Sequence, residues 1–251
     1  MAKTSFPTEE VNLPSKGYFY PNENPLALGK VEMKYMTARE EDILTSPNLL
    51  KQGTAIDKLL EALIVDKKIK LDDLLIGDKN ALIVAARILA YTKTYEFLTS
   101  SEDGSEATAT VDLTTLNDKE INFKKLTKNV NQFPFKLPNS EREVVLRMLT
   151  HKDENDIIKE AESLKKVQMA TNMTSRMKRM IVSIDGNSER AAIINFVDTE
   201  LLSVDALEIR RYLASITPDV DMTTTATYAD GTEGEVAVQI TAQFFWPSTE
   251  A

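Results

Sequence analysis

Asp103-Gly104-Ser105-Glu106 and Asp230-Gly231-Thr232-Glu233 open two segments that read alike. Ala109, Val111 and Leu113 follow the first, and Val236, Val238 and Ile240 follow the second, at the same offsets from the turn. Asp-Gly favours a tight hairpin because both positions tolerate positive φ. Apolar residues at every second position mark a half-buried strand. A long stretch of helical periodicity lies between the two hairpins. The chain therefore reads as α+β: a mostly helical body with a small antiparallel β module, in which the hairpins could pair into one sheet. That layout is zinc-ribbon-like. The approaches to the turns, however, read Thr99-Ser100-Ser101-Glu102 and Thr225-Ala226-Thr227-Tyr228. Without thiolates they cannot build the usual tetrahedral sulfur site, so no metal is expected. Two generic hairpins sharing only turn chemistry are the alternative.

Outward from these segments the chain divides into five. Residues 1–36 hold Pro7, Pro14, Pro21 and Pro25 with Gly17 and Gly29, and predict an extended arm, followed by a strand with Val31, Met33 and Tyr35 on one side. Residues 37–94 are helical: Thr37-x-x-Glu40 is a capping box, and apolar spacing predicts further helices over 54–65 and 78–91. Residues 95–125 form the first half of the β module, with a further strand at 121–123. Residues 126–217 are read as helical again, with capping boxes at Ser140-x-x-Glu143 and Thr150-x-x-Asp153. Residues 218–251 supply the second hairpin and a C-terminal aromatic strand.

Composition narrows the function. Thirty basic against 39 acidic side chains give a net charge of −9, with one histidine and no cysteine in 251 residues. Disulfides, thiolate metal sites and cysteine nucleophiles are excluded. His151 alone cannot build a histidine metal cluster. The acidic balance argues against general nucleic-acid binding. The longest compact apolar run, 81–86, is too short to span a membrane. The start of the chain, 1–7, has no apolar core of the kind a signal peptide needs. The glycines are not spaced as a phosphate loop requires, and no cofactor is expected. Glu40-Glu41-Asp42, Asp72-Asp73 and Asp153-Glu154 are acidic runs, but helical neighbours point about 100° apart and rarely converge on one substrate. His151, one residue inside a capping box, reads as a surface helix residue. No residue is assigned a catalytic role.

Three patches stand out as candidate partner contacts. Tyr18, Phe19 and Tyr20 must pack either on the chain's own core or on a partner. Between Glu162 and Asp185 there is no acidic residue, while Met173, Met177, Met180, Ile181 and Ile184 recur at helical spacing among Arg176, Lys178 and Arg179. Flexible thioethers with arginines suit an irregular, acidic partner groove, although a core-facing helix with a solvated basic back fits the same pattern. Phe244, Phe245 and Trp246 cannot all face one core from a single strand, so an interface anchor is expected to take part of that surface.

Six phrases, taken in order, carry a family resemblance. They are Leu13-Pro14-Ser15-Lys16-Gly17, Tyr35-Met36-Thr37-Ala38-Arg39-Glu40-Glu41-Asp42, Leu74-Leu75-Ile76-Gly77-Asp78-Lys79-Asn80, Met180-Ile181-Val182-Ser183-Ile184-Asp185-Gly186, Pro218-Asp219-Val220-Asp221-Met222 and Phe244-Phe245-Trp246-Pro247. Together they resemble the baseplate hub subunits or hub-assembly proteins of T-even-like contractile-tailed bacteriophages. The resemblance implies a non-enzymatic protein that joins other baseplate hub proteins, as hub subunit or assembly chaperone. Its location would be the host cytoplasm during assembly and the virion tail baseplate. Its oligomeric state is left open. Two other classes stay in view: a metal-free ribbon protein binding nucleic acid through the basic segment 165–179, and a tail hydrolase using two carboxylates roughly 5–10 Å apart in a cleft.

Overall fold

A computed structural model describes residues 7–100, 106–165, 172–228, 231–238, 240 and 244–245. The N-terminal arm is not extended away from the body. β1 (Thr8–Asn12) pairs antiparallel with β2 (Lys30–Lys34), with Val11 opposite Val31. The alternation in β2 holds: Val31 and Met33 are buried while Lys30 and Glu32 face out, and Tyr35, just past the strand, is exposed. The loop between the strands is folded tightly on itself. Gly17 sits at φ +72°, and a Cβ there would lie 2.4 Å from the Ala27 carbonyl oxygen. Only glycine tolerates both the conformation and the contact.

The helices of the first half keep the expected pattern. α1 (Ala38–Thr45) begins at the Thr37 capping box, in which the Glu40 carboxylate accepts from the Thr37 N–H at 3.0 Å and hydroxyl at 2.5 Å. The short α2 (Pro47–Gln52) is an addition to that pattern; Pro47 occupies its first turn, where a missing N–H costs nothing. α3 (Ala55–Leu63) buries Leu59, Leu60 and Leu63, and α4 (Ile76–Ala90) buries Leu82, Ile83 and Ala86. At the end of α4 the buried Arg87 guanidinium donates to Thr92 O at 2.9 Å and lies over the Tyr91 ring at 5.1 Å, fixing the turn into the first hairpin.

That hairpin is β3 (Thr94–Ser100) with β4 (Glu106–Asp112), and the second is β8 (Thr223–Thr227) with β9 (Glu233–Ala237). Asp103, Gly104 and Asp230 lie outside the described residues. Among the described residues the hairpins do not join into one sheet. Each is a separate two-stranded ladder, and they pack through a small apolar cluster of Ala109, Ala226 and Val236. The strand expected at 121–123 is instead coil entering a 3-10 turn at Phe123–Lys125.

The largest departure lies in 126–217, which holds a sheet of its own. β5 (Phe133–Lys136), β6 (Glu143–Leu146) and β7 (Ile181–Ile184) pair antiparallel in that order. Ser140-x-x-Glu143 caps no helix, because Val144-Val145-Leu146 continues as strand and the N–H groups of Asn139 and Ser140 donate to Asp205 at 3.0 Å each. The Thr150 box does open a helix, α5 (His151–Lys165), with Asp153 accepting from the Thr150 N–H at 2.9 Å. α6 (Asn172–Met180) stops where β7 starts, so Ile181 and Ile184 are strand residues rather than a continuation of the methionine stripe. α7 (Arg190–Thr199) and α8 (Ser203–Ile216) follow, both inside the stretch 126–217 read as helical.

One core cluster runs from Leu13 and Phe19 through Leu59, Leu82, Phe133, Ile181 and Ile209 to Phe244 and Phe245. Among the described residues no helix is long and apolar enough to cross a membrane.

Candidate partner-binding surfaces

Several of the aromatic side chains expected at interfaces are inside. Phe19 is 2% exposed and Tyr20 4%. Phe19 packs edge-on against Phe133 at 5.7 Å, and the half-buried Tyr18 meets Phe123 at 5.1 Å and donates its hydroxyl to Leu126 O at 3.0 Å. The Tyr20 hydroxyl donates to Asp78 at 2.5 Å and receives the Leu75 N–H at 2.9 Å. Phe244 and Phe245 are fully buried, perpendicular to one another at 5.4 Å, with Phe244 also against Tyr95 at 4.9 Å. These residues form part of a turn, not a strand, which lets two consecutive rings reach the same core. Trp246 lies outside the described residues. Phe19, Tyr20, Phe244 and Phe245 are therefore packed inside this chain, which leaves little of their side chains at its surface.

The α5–α6 region divides the same way. Met177 is buried, whereas Met173, one turn earlier, is 51% exposed. Arg176 makes a two-pronged pair with Glu154 at 2.6 Å through each nitrogen, Arg179 pairs with Glu160 at 2.9 Å, and Lys178 with Asp198 at 2.7 Å. The strip that looks basic in sequence is thus matched by acids brought from α5 and α7. Lys166 and the side chain of Lys165 are outside what is described. Ile158, 53% exposed, is a contact candidate that the sequence reading missed. It lies one turn beyond Glu154, and Met173 lies one turn before Arg176, so each exposed apolar side chain neighbours one member of that ion pair along its own helix. A signal exists in the sequence: Ile157 and Ile158 are adjacent on one helix and only one can face the core, which Ile157 does.

Several carboxylates of the acidic runs are engaged structurally. Lys34 reaches Glu40 at 2.7 Å; burial pushes that carboxyl up, but the Lys34 ammonium and the Thr37 donors outweigh it and hold it at about 2. Asp153 pairs with Arg147 at 2.6 and 2.8 Å, and Asp73 accepts from Asn24 at 3.2 Å. His151 is not a surface residue. It is 4% exposed, with Nδ1 3.0 Å from the Lys79 ammonium and Nε2 2.9 Å from Asp57, which itself binds Lys79 at 2.6 Å. Burial raises the Asp57 carboxyl, but His151 and Lys79 pull it below the usual range. Helix α5 is thereby tied to α3 and α4 through one polar cluster. Among the described residues, no group of three or more histidine, aspartate and glutamate side chains is placed to hold a metal ion.

Three of the six phrases meet at the start of α4. Asp78 is fully buried and accepts from the Ser15 N–H at 2.9 Å and the Ser15 hydroxyl at 2.6 Å, besides Tyr20. Burial pushes its carboxyl up, and the Ser15 and Tyr20 donors counter that. Asn80 Nδ2 donates to Asp219 at 3.0 Å, and Gly77 lies so close to the 218–219 backbone that a Cβ would come within 2.0 Å of Pro218 O. These segments converge on a structural staple, not on an open cleft.

A family model described as T4 bacteriophage base plate protein matches residues 7–246 of the chain. Neither the curated proteins nor the solved structures contain a match.

Proposed function

Because the chain belongs to the T4 bacteriophage base plate protein family, we propose that it acts by protein–protein association in assembling the hub of a contractile-tail baseplate, as a hub subunit or as a chaperone of hub proteins. The observation that carries this reading is a family match reaching from the first described strand to the C-terminal aromatic segment. A structural role suits a chain in which Glu40, Asp57, Asp78, Asp153 and the sole histidine are tied into packing contacts. The contact surface we assign is the α5–α6 face, with Met173 and Ile158 as apolar anchors and Arg176 and Arg179 setting charge register. Exposed apolar side chains beside a held arginine are the composition of an interface core.

The test is to place Glu at positions 158 and 173 together and measure incorporation into baseplate assemblies, with thermal unfolding as the check on folding. Both positions are exposed, so the fold should survive while incorporation falls. Normal incorporation of the doubly substituted chain would exclude this face as the contact surface.

A further inference from the structure

We propose that residues 9–111 and 133–238 are two copies of one structural unit, joined in tandem and clasped by a loop extension that only the first copy carries. The two Asp-Gly hairpins are then the last element of each copy. This architecture is independent of the choice between hub subunit and chaperone.

The opening strand pairs match residue for residue. In β1–β2, Glu9 faces Met33, Val11 faces Val31 and Asn12 faces Lys30; in β5–β6, Phe133 faces Leu146, Phe135 faces Val144 and Lys136 faces Glu143. Both loops begin Leu-Pro and close alike, with the Leu13 N–H donating to Gly29 O and the Leu137 N–H to Arg142 O, each at 2.9 Å. α3 and α6 are nine residues long, and the residue after each pairs with the second strand: Ile64 bridges Met33, and Ile181 faces Leu146. α4 and α8 follow Leu74-Leu75 and Leu201-Leu202, and bury Leu82 and Ile209 at the same helical position. In the closing hairpins, Phe97 opposite Ala109 and Ser100 opposite Glu106 correspond, 127 residues on, to Thr224 opposite Val236 and Thr227 opposite Glu233. A slip of one residue would turn every side chain of a strand to the other face, so agreement in both pairs is a strict condition.

The same polar contacts recur. At the third residue of α4, Asp78 takes the Ser15 N–H of the Leu-Pro loop at 2.9 Å. At the third residue of α8, Asp205 takes the N–H groups of Asn139 and Ser140 at 3.0 Å each. Both carboxylates are fully buried. Where the second strand turns into its helix, a cation three residues before the capping threonine holds the acid three residues after it. Lys34 and Glu40 do so about Thr37 at 2.7 Å, and Arg147 and Asp153 about Thr150 at 2.6 Å. A strand-to-helix corner does not require these contacts, and duplication of one unit accounts for both sets.

Two additions distinguish the copies. The second is α7, which has no counterpart among the described residues of the first copy. The first is the extra length of loop 13–29 over loop 137–142, and it carries Tyr18-Phe19-Tyr20. Phe19 packs on Phe133 of the second copy, and Asn129 of the connecting segment donates its N–H to Tyr18 O at 2.7 Å and Nδ2 to Tyr20 O at 2.8 Å. The copies also meet through equivalent residues, Ala109 and Val236. One chain thereby supplies a paired scaffold without dimerising.

The experiment exchanges matched residues in the full chain and reads the unfolding constant by urea titration. Glu40→Asp alone and Asp153→Glu alone should each raise it about tenfold, because the acid no longer fits its cation. Adding Lys34→Arg to the first and Arg147→Lys to the second makes each corner a replica of the other, and should return both to within about threefold of the parent. Glu40→Ala and Asp153→Ala set the scale of a lost contact, and a truncated chain that fails to fold sets it as well. Rescue in both corners supports the duplication. Additive losses in either corner, or a matched exchange as damaging as truncation, would overturn it, since the two corners would not be interchangeable. None of these outcomes touches baseplate membership, which is read separately from the composition of assembled particles.

Discussion

Ser15 and Asp78, 63 residues apart, share two hydrogen bonds in the fully buried interior: the Ser15 N–H and hydroxyl both donate to the Asp78 carboxylate, at 2.9 and 2.6 Å. Replacing Asp78 by Ala strands these donors together with the Tyr20 hydroxyl. Leaving buried donors without acceptors costs about 1–3 kcal/mol each in the worst case, so Asp78→Ala should lose about 3 kcal/mol or fail to fold. Ser15→Ala should cost about 1 kcal/mol. Urea unfolding of both variants checks the order, and equal stability of Asp78→Ala and the parent would contradict the staple.

Gly77 tests the other side of the same junction. A Cβ there would lie 2.0 Å from Pro218 O and 2.6 Å from the Asp219 Cα, backbone atoms that cannot swing aside. Gly77→Ala should destabilise by about 1–3 kcal/mol through overpacking, although alanine favours helix. Hydrogen exchange should show the loss concentrated in 218–222.

This junction also separates what the sequence discloses from what it does not. The capping boxes at Thr37 and Thr150, the two hairpins and the amphipathic spacing of α3, α4, α7 and α8 are legible because each is local. Tyr18-Phe19-Tyr20 is not: its fate depends on Asp78 and Phe133, distant in sequence, and an aromatic run says only that burial is needed. Ser140-x-x-Glu143 misleads because a four-residue box takes no account of its neighbours, and Val144-Val145 is β-branched sequence that prefers strand. Ile181-Val182-Ser183-Ile184 carries the same warning against extending the methionine helix. The basic strip misleads for a further reason. Glu154, Glu160 and Asp198 neutralise it from other helices, and charge read along one segment cannot see them.

The cluster at His151 offers a double-mutant cycle. Asp57→Asn keeps the volume but leaves the Lys79 ammonium, whose side chain is only 15% exposed, without its acid. A loss of about 2 kcal/mol is expected, below the 3–5 kcal/mol typical of fully buried pairs because some solvent reaches this one. Lys79→Met should recover part of that loss when combined with Asp57→Asn. Additive effects of the two substitutions would mean that the pair is not coupled.

Acid sensitivity should reside partly in Glu40. Its folded carboxyl is held at about 2 against an ordinary 4.5, so its stabilisation is present above pH 4.5 and is lost as the pH falls towards 2. Glu40→Gln should be less stable than the parent at pH 7 by about 2 kcal/mol, with the gap closing through that window. Thermal melts from pH 7 to pH 2.5 measure it, and a gap that stays constant would contradict the assignment.

Baseplate assembly is tested most directly by quantitative mass spectrometry of the phage's purified assembly intermediates and mature tails. A role in hub assembly predicts this chain at fixed stoichiometry in intermediates that contain hub proteins. Retention in mature tails would identify a hub subunit, and loss at maturation a chaperone. Absence of the chain from intermediates and tails alike would contradict that role.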